Sequence, residues 1–271
     1  MANERFAQRL GARSSSPFEG GQVVSLYGYP GIPFMGALGA YTPDEAADEV
    51  GRVAAAYDAL NGPRGVTPAL HLIVAVAQPT PQGDGSYLLR MDDELLQAYI
   101  MVARAHGLLL FLDVQIGWAD PLAEVQRLGA ALREPFVHLA LDPEFATRAR
   151  GMAPGEAIGS LDADDVNAVQ GYLAALVRER NLPPKVLVLH QFLATMLLRT
   201  ELYAVHPEVE VTIDMDGFGG AGVKLAHYEA YALAPYARRA GIKLFYHWDE
   251  PLMTPGQILA LAQPPDLVIY Q

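Results

Sequence analysis

Three stretches of this sequence decide the fold: LALDPEF (139–145), VTIDMDGFGG (211–220) and LFYHWDE (244–250). In each of them an apolar run ends in acidic, His or Tyr side chains, and most of the other five apolar runs end similarly. A strand buried on both faces is apolar throughout, and a (β/α)8 barrel collects its catalytic side chains where the strands end. The pattern therefore predicts an α/β protein built as one (β/α)8 TIM barrel.

Eight strands are predicted, separated by segments with helix signals. The first helix, for example, opens at residues 42–45 (TPDE), an N-cap followed by Pro and acidic first-turn residues, and stops at residues 61–62 (NG). Alternating strands and helices imply parallel pairing through right-handed crossovers. The strands cover about residues 23–31, 69–78, 108–118, 136–145, 185–192, 209–218, 241–249 and 266–271.

A doubly wound open sheet is the competing architecture. That fold usually carries a Gly-rich phosphate turn after its first strand, whereas GYPGIPFMG (28–36) is interrupted by Pro and opens no helix directly. The count of eight strands favours closure into a barrel. We expect one catalytic domain over residues 23–271, preceded by a flexible lead-in at residues 1–22.

The composition narrows the class of protein. The chain has 271 residues, of which 51% are hydrophobic, and this suits one large domain with a full core. The net charge of −12 argues against a nucleic-acid partner and an anionic membrane surface. No apolar stretch reaches the roughly 20 residues of a transmembrane segment. Since the sequence has no Cys, it forms no disulfide, thiolate nucleophile or Cys-ligated metal site. Residues 1–22 contain no apolar core, so no signal peptide is expected there.

Strand alternation predicts which side chains share a face. If the polar sets face the barrel interior, several carboxylates converge at its C-terminal mouth, and buried carboxylates are costly unless they are paired or protonated. The sets are His138, Ala140, Asp142 and Glu144 on the fourth strand, Thr212, Asp214 and Asp216 on the sixth, Asp113 and Gln115 on the third, and Lys243, Phe245, His247 and Asp249 on the seventh.

The DPE motif at residues 142–144 is the sharpest catalytic signal. Its two carboxylates stand at i and i+2 at a strand end, so Glu144 would act as a general acid whose pKa is tuned by Asp142. Alternatively, Asp142 caps a loop and Glu144 pairs with Arg148 or Arg150.

A second carboxylate is expected from the later strands. Asp214 and Asp216 close an apolar strand before a Gly-rich stretch, and Asp249 follows the next strand. One of the three, opposite Glu144, would complete a glycosidase pair. The alternative is that an Asp before glycines merely makes a turn.

Other polar and aromatic side chains at the strand ends are predicted to hold the substrate. Trp248 would form a stacking platform for a sugar ring, or instead pack against a helix. The full predicted set is Asp113, Gln115, His190, Gln191, His247, Trp248, Tyr27 and Tyr270.

Metal and cofactor signatures are weak. The sequence has no HxH or HExxH spacing, although Asp214, Asp216 and Glu144 could hold Ca²⁺ or Mg²⁺. It also lacks the G-x-S-x-G elbow of serine hydrolases. We therefore predict no cofactor and no metal.

Several motifs resemble a family of uncharacterised bacterial proteins that are labelled as lipoproteins or exported proteins. They are ALDPEF, LPPKVLVLHQF, DMDGFGG, KLFY and MTP…PDLVIYQ, which span roughly residues 23–271. The resemblance implies an extracellular or cell-envelope location and a lipidated N-terminal Cys, which this chain lacks.

More distantly, DPE resembles the D-x-E that ends the fourth strand of muramidase and chitinase barrels, without the full D-x-x-D-x-D-x-E pattern. That likeness implies Glu144 as proton donor and Asp142 as its tuning partner.

The sequence as a whole favours a glycoside hydrolase-like barrel that acts on a carbohydrate substrate, either a polysaccharide or a cell-wall glycan. One alternative is a metal-dependent hydrolase of phosphoesters or esters, with Asp214, Asp216, Glu144 and His247 as ligands. The other is a non-catalytic barrel that binds a glycan.

Overall fold

The computed structural model describes residues 16–271 and shows a closed parallel β-barrel. The strands follow the order β1-β9-β8-β7-β6-β5-β4-β2, and pairing of β1 with β2 closes the ring. The short β3 pairs antiparallel with β2 outside the ring. The strands are β1 (Gly21–Gly28), β2 (Gly65–Ala77), β3 (Leu88–Arg90), β4 (Leu109–Val114), β5 (Val137–Leu141), β6 (Lys185–Gln191), β7 (Val209–Met215), β8 (Arg239–Leu244) and β9 (Leu267–Tyr270). The predicted eight-stranded barrel is confirmed.

Helices follow most of the strands and begin at the expected capping residues. Thr42 accepts a hydrogen bond from the Glu45 backbone N–H, and the Glu45 side chain accepts one from Thr42 in return. Asp162 and Thr254 form the same reciprocal cap on later helices, while Asp92 and Asp120 only accept a backbone N–H with their side chains. The helices are α1 (Pro43–Asp58), α2 (Asp93–His106), α3 (Pro121–Arg127), α4 (Ala163–Arg180), α5 (Ala221–His227) with a π-helical extension (Tyr228–Ala232), and α6 (Pro255–Leu259).

Tight 3₁₀ turns occupy many of the connections between strands and helices. Two of them follow β1, two follow β5 and two follow β6. The turns are Pro33–Met35, Ala37–Ala40, Ala131–Arg133, Pro143–Phe145, Arg148–Arg150, Ala194–Met196 and Thr200–Leu202.

The strands end earlier than the sequence predicted. The fourth predicted strand stops at Leu141, the sixth at Met215 and the seventh at Leu244. The polar residues that follow therefore lie in loops at the barrel mouth. This arrangement frees their side chains from strict alternation, so each takes the direction that its local turn imposes.

The predicted lead-in at residues 1–22 differs from the structure where the two can be compared. Residues 1–15 lie outside the described part of the chain. Ser16 is buried and its hydroxyl donates a hydrogen bond to Glu210, while the Phe18 side chain joins the core. Gly21 already starts β1. Burial of an aromatic side chain makes residues 16–22 part of the barrel domain.

Among residues 16–271, no helix combines the length and the apolar character needed to cross a bilayer.

Candidate active site

A chain of hydrogen-bonded ionisable side chains fills the upper interior of the barrel. His190 on β6 lies at its centre: Nε2 is 2.8 Å from Asp113 Oδ2 and Nδ1 is 2.9 Å from Asp214 Oδ2. His71 Nε2 on β2 is 3.2 Å from the same Asp113 oxygen. All four side chains are fully buried. The strands thus bring together acidic and basic groups that are far apart in sequence.

The surroundings of His190 favour its protonated form. Carboxylates only accept hydrogen bonds, so two carboxylate partners require a hydrogen on each ring nitrogen. Burial and the nearby Lys243 ammonium both lower the pKa of His190, but Asp113 and Asp214 outweigh them and hold it well above its ordinary value. Burial would in turn raise the pKa of Asp113, yet His190 and His71 hold it below its ordinary value.

Lys243 on β8 continues the network to the surface of the site. Its Nζ donates to Asp216 Oδ2 at 2.9 Å and lies 3.9 Å from the centroid of the Tyr27 ring. Burial alone would lower the pKa of Lys243, but the charges on Asp216, Asp214 and Asp113 raise it above the ordinary value. Asp216 Oδ2 also lies 3.4 Å from His190 Nδ1. The Asp216 carboxylate therefore faces two cations, which lower its pKa without outweighing the burial that raises it.

A cavity of about 450 Å³ opens above this network at the C-terminal ends of the strands. We call it the mouth cavity; its volume falls within the range of roughly 300–1,000 Å³ found for ligand sites. Carboxyl groups and aromatic rings dominate its wall. The lining residues are Tyr27, Gln115, Asp142, Glu144, Phe145, Phe192, Leu193, Asp216, Gly217, Phe218, His227, Lys243, Phe245, Trp248 and Gln271.

The DPE motif forms a tight turn at the wall of the mouth cavity. Asp142 Oδ1 accepts a hydrogen bond from the Glu144 backbone N–H at 3.0 Å, so Asp142 does cap the loop. Burial raises the pKa of Asp142 well above its ordinary value, with a further contribution from Glu144. Burial also raises the pKa of Glu144, and Asp216 adds to the rise. Glu144 is thus suited to hold and deliver a proton.

The alternative partners of Glu144 lie elsewhere. Arg148 and Arg150 are exposed, and Arg148 donates to the Trp118 carbonyl oxygen. Glu144 instead faces the mouth cavity.

The buried charges beneath the mouth cavity would stabilise a positive charge that develops on a bound ligand. Three carboxylates, of Asp113, Asp214 and Asp216, face two cations, His190 and Lys243. With Asp216 ionised the excess is negative, and it lies in a buried setting where charges interact more strongly than in water. A cationic transition state in the mouth cavity would therefore be stabilised.

Within residues 16–271, two groups of side chains have spacing that could hold a metal ion: His71, Asp113 and His190, and His190, Asp214 and Asp216. Both depend on His190, whose two ring nitrogens are occupied by carboxylate partners. A metal ligand must offer a neutral nitrogen with a free lone pair. In addition, the Lys243 ammonium already compensates Asp216. These residues fit a charge-paired network better than a metal site.

Asp249, predicted as a catalytic carboxylate, has different neighbours. Its Oδ2 accepts from the Phe245 backbone N–H and lies 2.9 Å from Lys224 Nζ, while its Oδ1 accepts from the Gly219 backbone N–H. Lys224 also donates to the Gly217 carbonyl oxygen at 2.7 Å. Asp249 thus joins the loop after β7 to the loop after β8 instead of facing the mouth cavity.

Three predicted substrate-binding residues also lie away from the mouth cavity. Gln191 points outward, where its Oε1 accepts from the Tyr236 hydroxyl. The Tyr270 hydroxyl lies 2.9 Å from that of Tyr57. His247 is exposed and lines a neighbouring cavity. Asp113 and His190 lie beneath the mouth cavity, and Tyr27, Gln115 and Trp248 line it.

Lys243 and the phenylalanines are the site features that the predicted residue set omits. Lys243 shares strand parity with Phe245, and a Lys within an apolar strand is itself a signal, because a buried ammonium needs a partner. Phe145 and Phe192 follow directly on the polar residues Glu144 and Gln191, and Phe218 follows Asp216 by two positions. Their sequence signal is weaker, since aromatic residues at such positions commonly pack in the core.

No family model matches this chain, and neither does any curated protein. The resemblance to exported lipoproteins accordingly gains no support and stays a prediction.

Three solved structures with some likeness to this chain are described as a β-mannanase and two endoglucanases. A β-mannanase from the blue mussel Mytilus edulis aligns at 9% identity and a TM-score of 0.46, covering 92% of this chain and 86% of that one. A hyperthermophilic endo-β-1,4-glucanase aligns at 10% identity and a TM-score of 0.35, covering 73% of this chain and 61% of that one. A GH5-4 broad specificity endoglucanase from Clostridum cellulovorans aligns at 11% identity and a TM-score of 0.37, covering 76% of this chain and 63% of that one. This chain thus spans less than two thirds of either endoglucanase, and scores this low carry no argument about activity.

Proposed function

We propose that this protein is a glycoside hydrolase that cleaves a polysaccharide or cell-wall glycan. One observation carries the proposal: the carboxyl groups of Glu144 and Asp216 line the same aromatic-walled cavity in different electrostatic settings. Burial raises the pKa of both carboxyl groups, but the charge of Asp216 raises that of Glu144 further, whereas Lys243 and His190 lower that of Asp216. Two carboxyl groups with separate roles are what glycosidic bond cleavage requires.

Glu144 protonates the glycosidic oxygen as the bond to the leaving sugar breaks; the oxygen of a water molecule ends on the anomeric carbon of the other sugar, and a proton of that water restores the acid. Asp216 faces the positive charge that develops on the other sugar ring, and Lys243 and His190 hold Asp216 in place. The buried Asp214 and Asp113 contribute the excess negative charge beneath it. Asp142 fixes the turn that carries Glu144 through its hydrogen bond to the Glu144 N–H.

The aromatic rings suit a carbohydrate substrate, since a sugar presents apolar C–H faces as well as hydroxyl groups. Phe218, Phe245 and Trp248 form one cluster, with ring centroids 5.6–6.0 Å apart. Gln115 also lines the cavity, and its amide NH2 group can donate to sugar hydroxyl groups. A substrate of this kind would place the enzyme in the cell envelope or outside the cell, as the sequence resemblance implies.

The test is release of reducing ends from a panel of soluble polysaccharides: mixed-linkage β-glucan, galactomannan, xylan and glycol chitin. The wild type should cleave at least one of them. Glu144→Gln should lower kcat on that polymer about 10²–10⁴-fold, the usual contribution of a general acid. Glu179→Gln, which alters an exposed carboxylate on α4, is the matched control and should be indistinguishable from the wild type.

Two results would contradict the glycoside hydrolase proposal and favour one of its alternatives. Tight polymer binding without cleavage would indicate a glycan-binding barrel. Loss of activity in chelator, with recovery on adding Mg²⁺ or Ca²⁺, would indicate the metal-dependent hydrolase.

A further inference from the structure

A second cavity, of about 490 Å³, lies beside the mouth cavity. We call it the Phe34 cavity. It shares Trp248 and Gln271 with the mouth cavity, so the two cavities are direct neighbours. The other lining residues are Leu26, Pro33, Phe34, Gly36, Ala37, Ala40, Tyr41, Glu49, Arg52, Tyr246 and His247.

Exposed aromatic rings characterise the Phe34 cavity. Phe34 is 84% exposed, Trp248 is 44% exposed and Tyr246 is 37% exposed. Large apolar side chains grouped at the surface mark a binding site more often than isolated ones do. These rings adjoin the proposed catalytic carboxylates through Trp248, which lines both cavities.

The loop that presents Phe34 is firmly attached to the barrel. Leu38 is fully buried behind it. Gly36 has a φ of 122°, and a Cβ there would lie 2.5 Å from the Tyr27 carbonyl oxygen, so the loop backbone packs directly on the end of β1. Phe34 is therefore an exposed ring on a fixed support, which lowers the entropy cost of binding.

Tyr246 is supported from beneath. Its ring stacks on that of Tyr270 at a centroid distance of 5.2 Å, and the Tyr270 hydroxyl contacts that of Tyr57. Tyr270, predicted to contact substrate, thus acts on the Phe34 cavity by holding Tyr246.

The charges in the Phe34 cavity favour an uncharged ligand. Its one cationic lining side chain, Arg52, donates through Nε to Glu49 at 2.9 Å and is neutralised by it. No other Lys or Arg lines the cavity among the described residues. The net charge of the chain is −12, which further disfavours an anionic polymer. Paired Arg and Glu side chains still present donors and acceptors to hydroxyl groups.

We propose that the Phe34 cavity binds the continuation of a neutral polysaccharide chain whose scissile bond lies in the mouth cavity. The proposal rests on the proposed function. It adds that the substrate is an uncharged polymer that extends past the catalytic carboxylates, with Phe34, Tyr246 and Trp248 contacting successive sugar rings.

The experiment measures binding in the Glu144→Gln background, so that turnover does not interfere. The probes are the four polysaccharides of the activity panel and, for the polymer that binds, its disaccharide and hexasaccharide. Adding Phe34→Ala should weaken polymer binding about tenfold, which corresponds to about 1.4 kcal/mol. The gain in affinity from disaccharide to hexasaccharide should shrink by the same factor.

Val205→Ala is the matched control, because Val205 is also 84% exposed but lines a separate cavity. It should leave both affinities within about twofold. Since Phe34 is exposed, its truncation should not impair folding, and circular dichroism verifies this.

The outcomes separate the two proposals. If the wild type cleaves a polymer whose binding Phe34→Ala leaves unchanged, the Phe34 cavity proposal is wrong and the hydrolase stands. If a polymer binds in a Phe34-dependent way but is never cleaved, the cavity proposal stands and the hydrolase falls. If none of the polymers binds, both fall. Dimerisation of the wild type that Phe34→Ala abolishes would instead assign the cavity to a second copy of the chain.

Discussion

Lys243 Nζ donates a hydrogen bond to Asp216 Oδ2 at 2.9 Å, and both side chains are almost completely buried. A buried ion pair is seldom retained for stability alone, because its desolvation cost rivals its Coulombic gain. Here the pair fixes a carboxylate at the wall of the mouth cavity. The burial of the Lys243–Asp216 pair is best explained by the part proposed for Asp216 in glycosidic bond cleavage.

Replacing Lys243 should destabilise the fold as well as abolish activity. Lys243→Met leaves Asp216 buried without its ammonium partner, and breaking a buried pair in this way costs about 3–5 kcal/mol. Urea unfolding at pH 7 measures the loss. Arg178→Met, which removes an exposed ion pair with Glu208, should change the unfolding free energy little. A Lys243→Met variant as stable as the wild type would contradict the pairing.

The role of Glu144 predicts a dependence on the leaving group. Glu144→Gln removes the proton donor, so cleavage of an unactivated glycosidic bond should fall about 10²–10⁴-fold. An aryl glycoside with a weakly basic leaving group needs little protonation, and its bond-breaking step should be affected far less. Pre-steady-state kinetics on both substrates measure the difference. Equal losses on the two substrates would argue against Glu144 as the acid.

The pH profile should reflect the same carboxyl group. Because burial and Asp216 raise the pKa of Glu144, the acid form persists above the ordinary glutamic acid range. Activity on unactivated polymer should fall as pH rises through that raised pKa. In Glu144→Gln, the residual rate of aryl glycoside cleavage should no longer fall as pH rises through this range. If the rate still falls there, a group other than Glu144 is responsible for the decline.

Asp142 predicts a pH-dependent stability. Its folded pKa is raised well above the unfolded value of about 3.9. Its contribution to stability is thus fully present below about pH 4 and is lost as pH rises through the folded pKa. Asp142→Asn carries no proton to lose and can still accept the Glu144 N–H bond. Its stability relative to the wild type should therefore increase with pH.

Urea unfolding from pH 5 to pH 9 tests the Asp142 prediction. Asp93→Asn, an exposed substitution on α2, serves as the control and should follow the wild-type curve. If the Asp142→Asn and wild-type curves run parallel, Asp142 is not the protonated group.

Asp249 should prove structural. Asp249→Ala removes the partner of Lys224 and two backbone hydrogen bonds, so we expect a loss of about 3–5 kcal/mol in unfolding free energy. Asp249→Asn keeps an acceptor for one of those backbone groups and should lower kcat less than about tenfold. Asp216→Asn should lower it by orders of magnitude. A kcat loss in Asp249→Asn equal to that in Asp216→Asn would restore Asp249 as a catalytic carboxylate.

The barrel itself was predictable from sequence. Parallel strands buried on both faces must be apolar along their length, and eight such runs alternate with capped helices. Alternation within the strands also predicted that Asp113 and Asp214 face the interior, because their orientation depends only on the period of two. The DPE turn at residues 142–144 was a further local signal, since both carboxyl groups follow one strand.

The tertiary structure decided which strand-end groups meet. Asp249 lies beyond the end of β8, where strand alternation no longer applies, and a Lys from α5 turns it toward the loops. Gln191 faces outward because its neighbour His190 faces inward. The pairing of Lys243 with Asp216 depends on adjacent strands, and the Phe34 cavity depends on two loops from opposite ends of the chain. Sequence sets the direction of a side chain within a strand, whereas its partners depend on how distant segments pack.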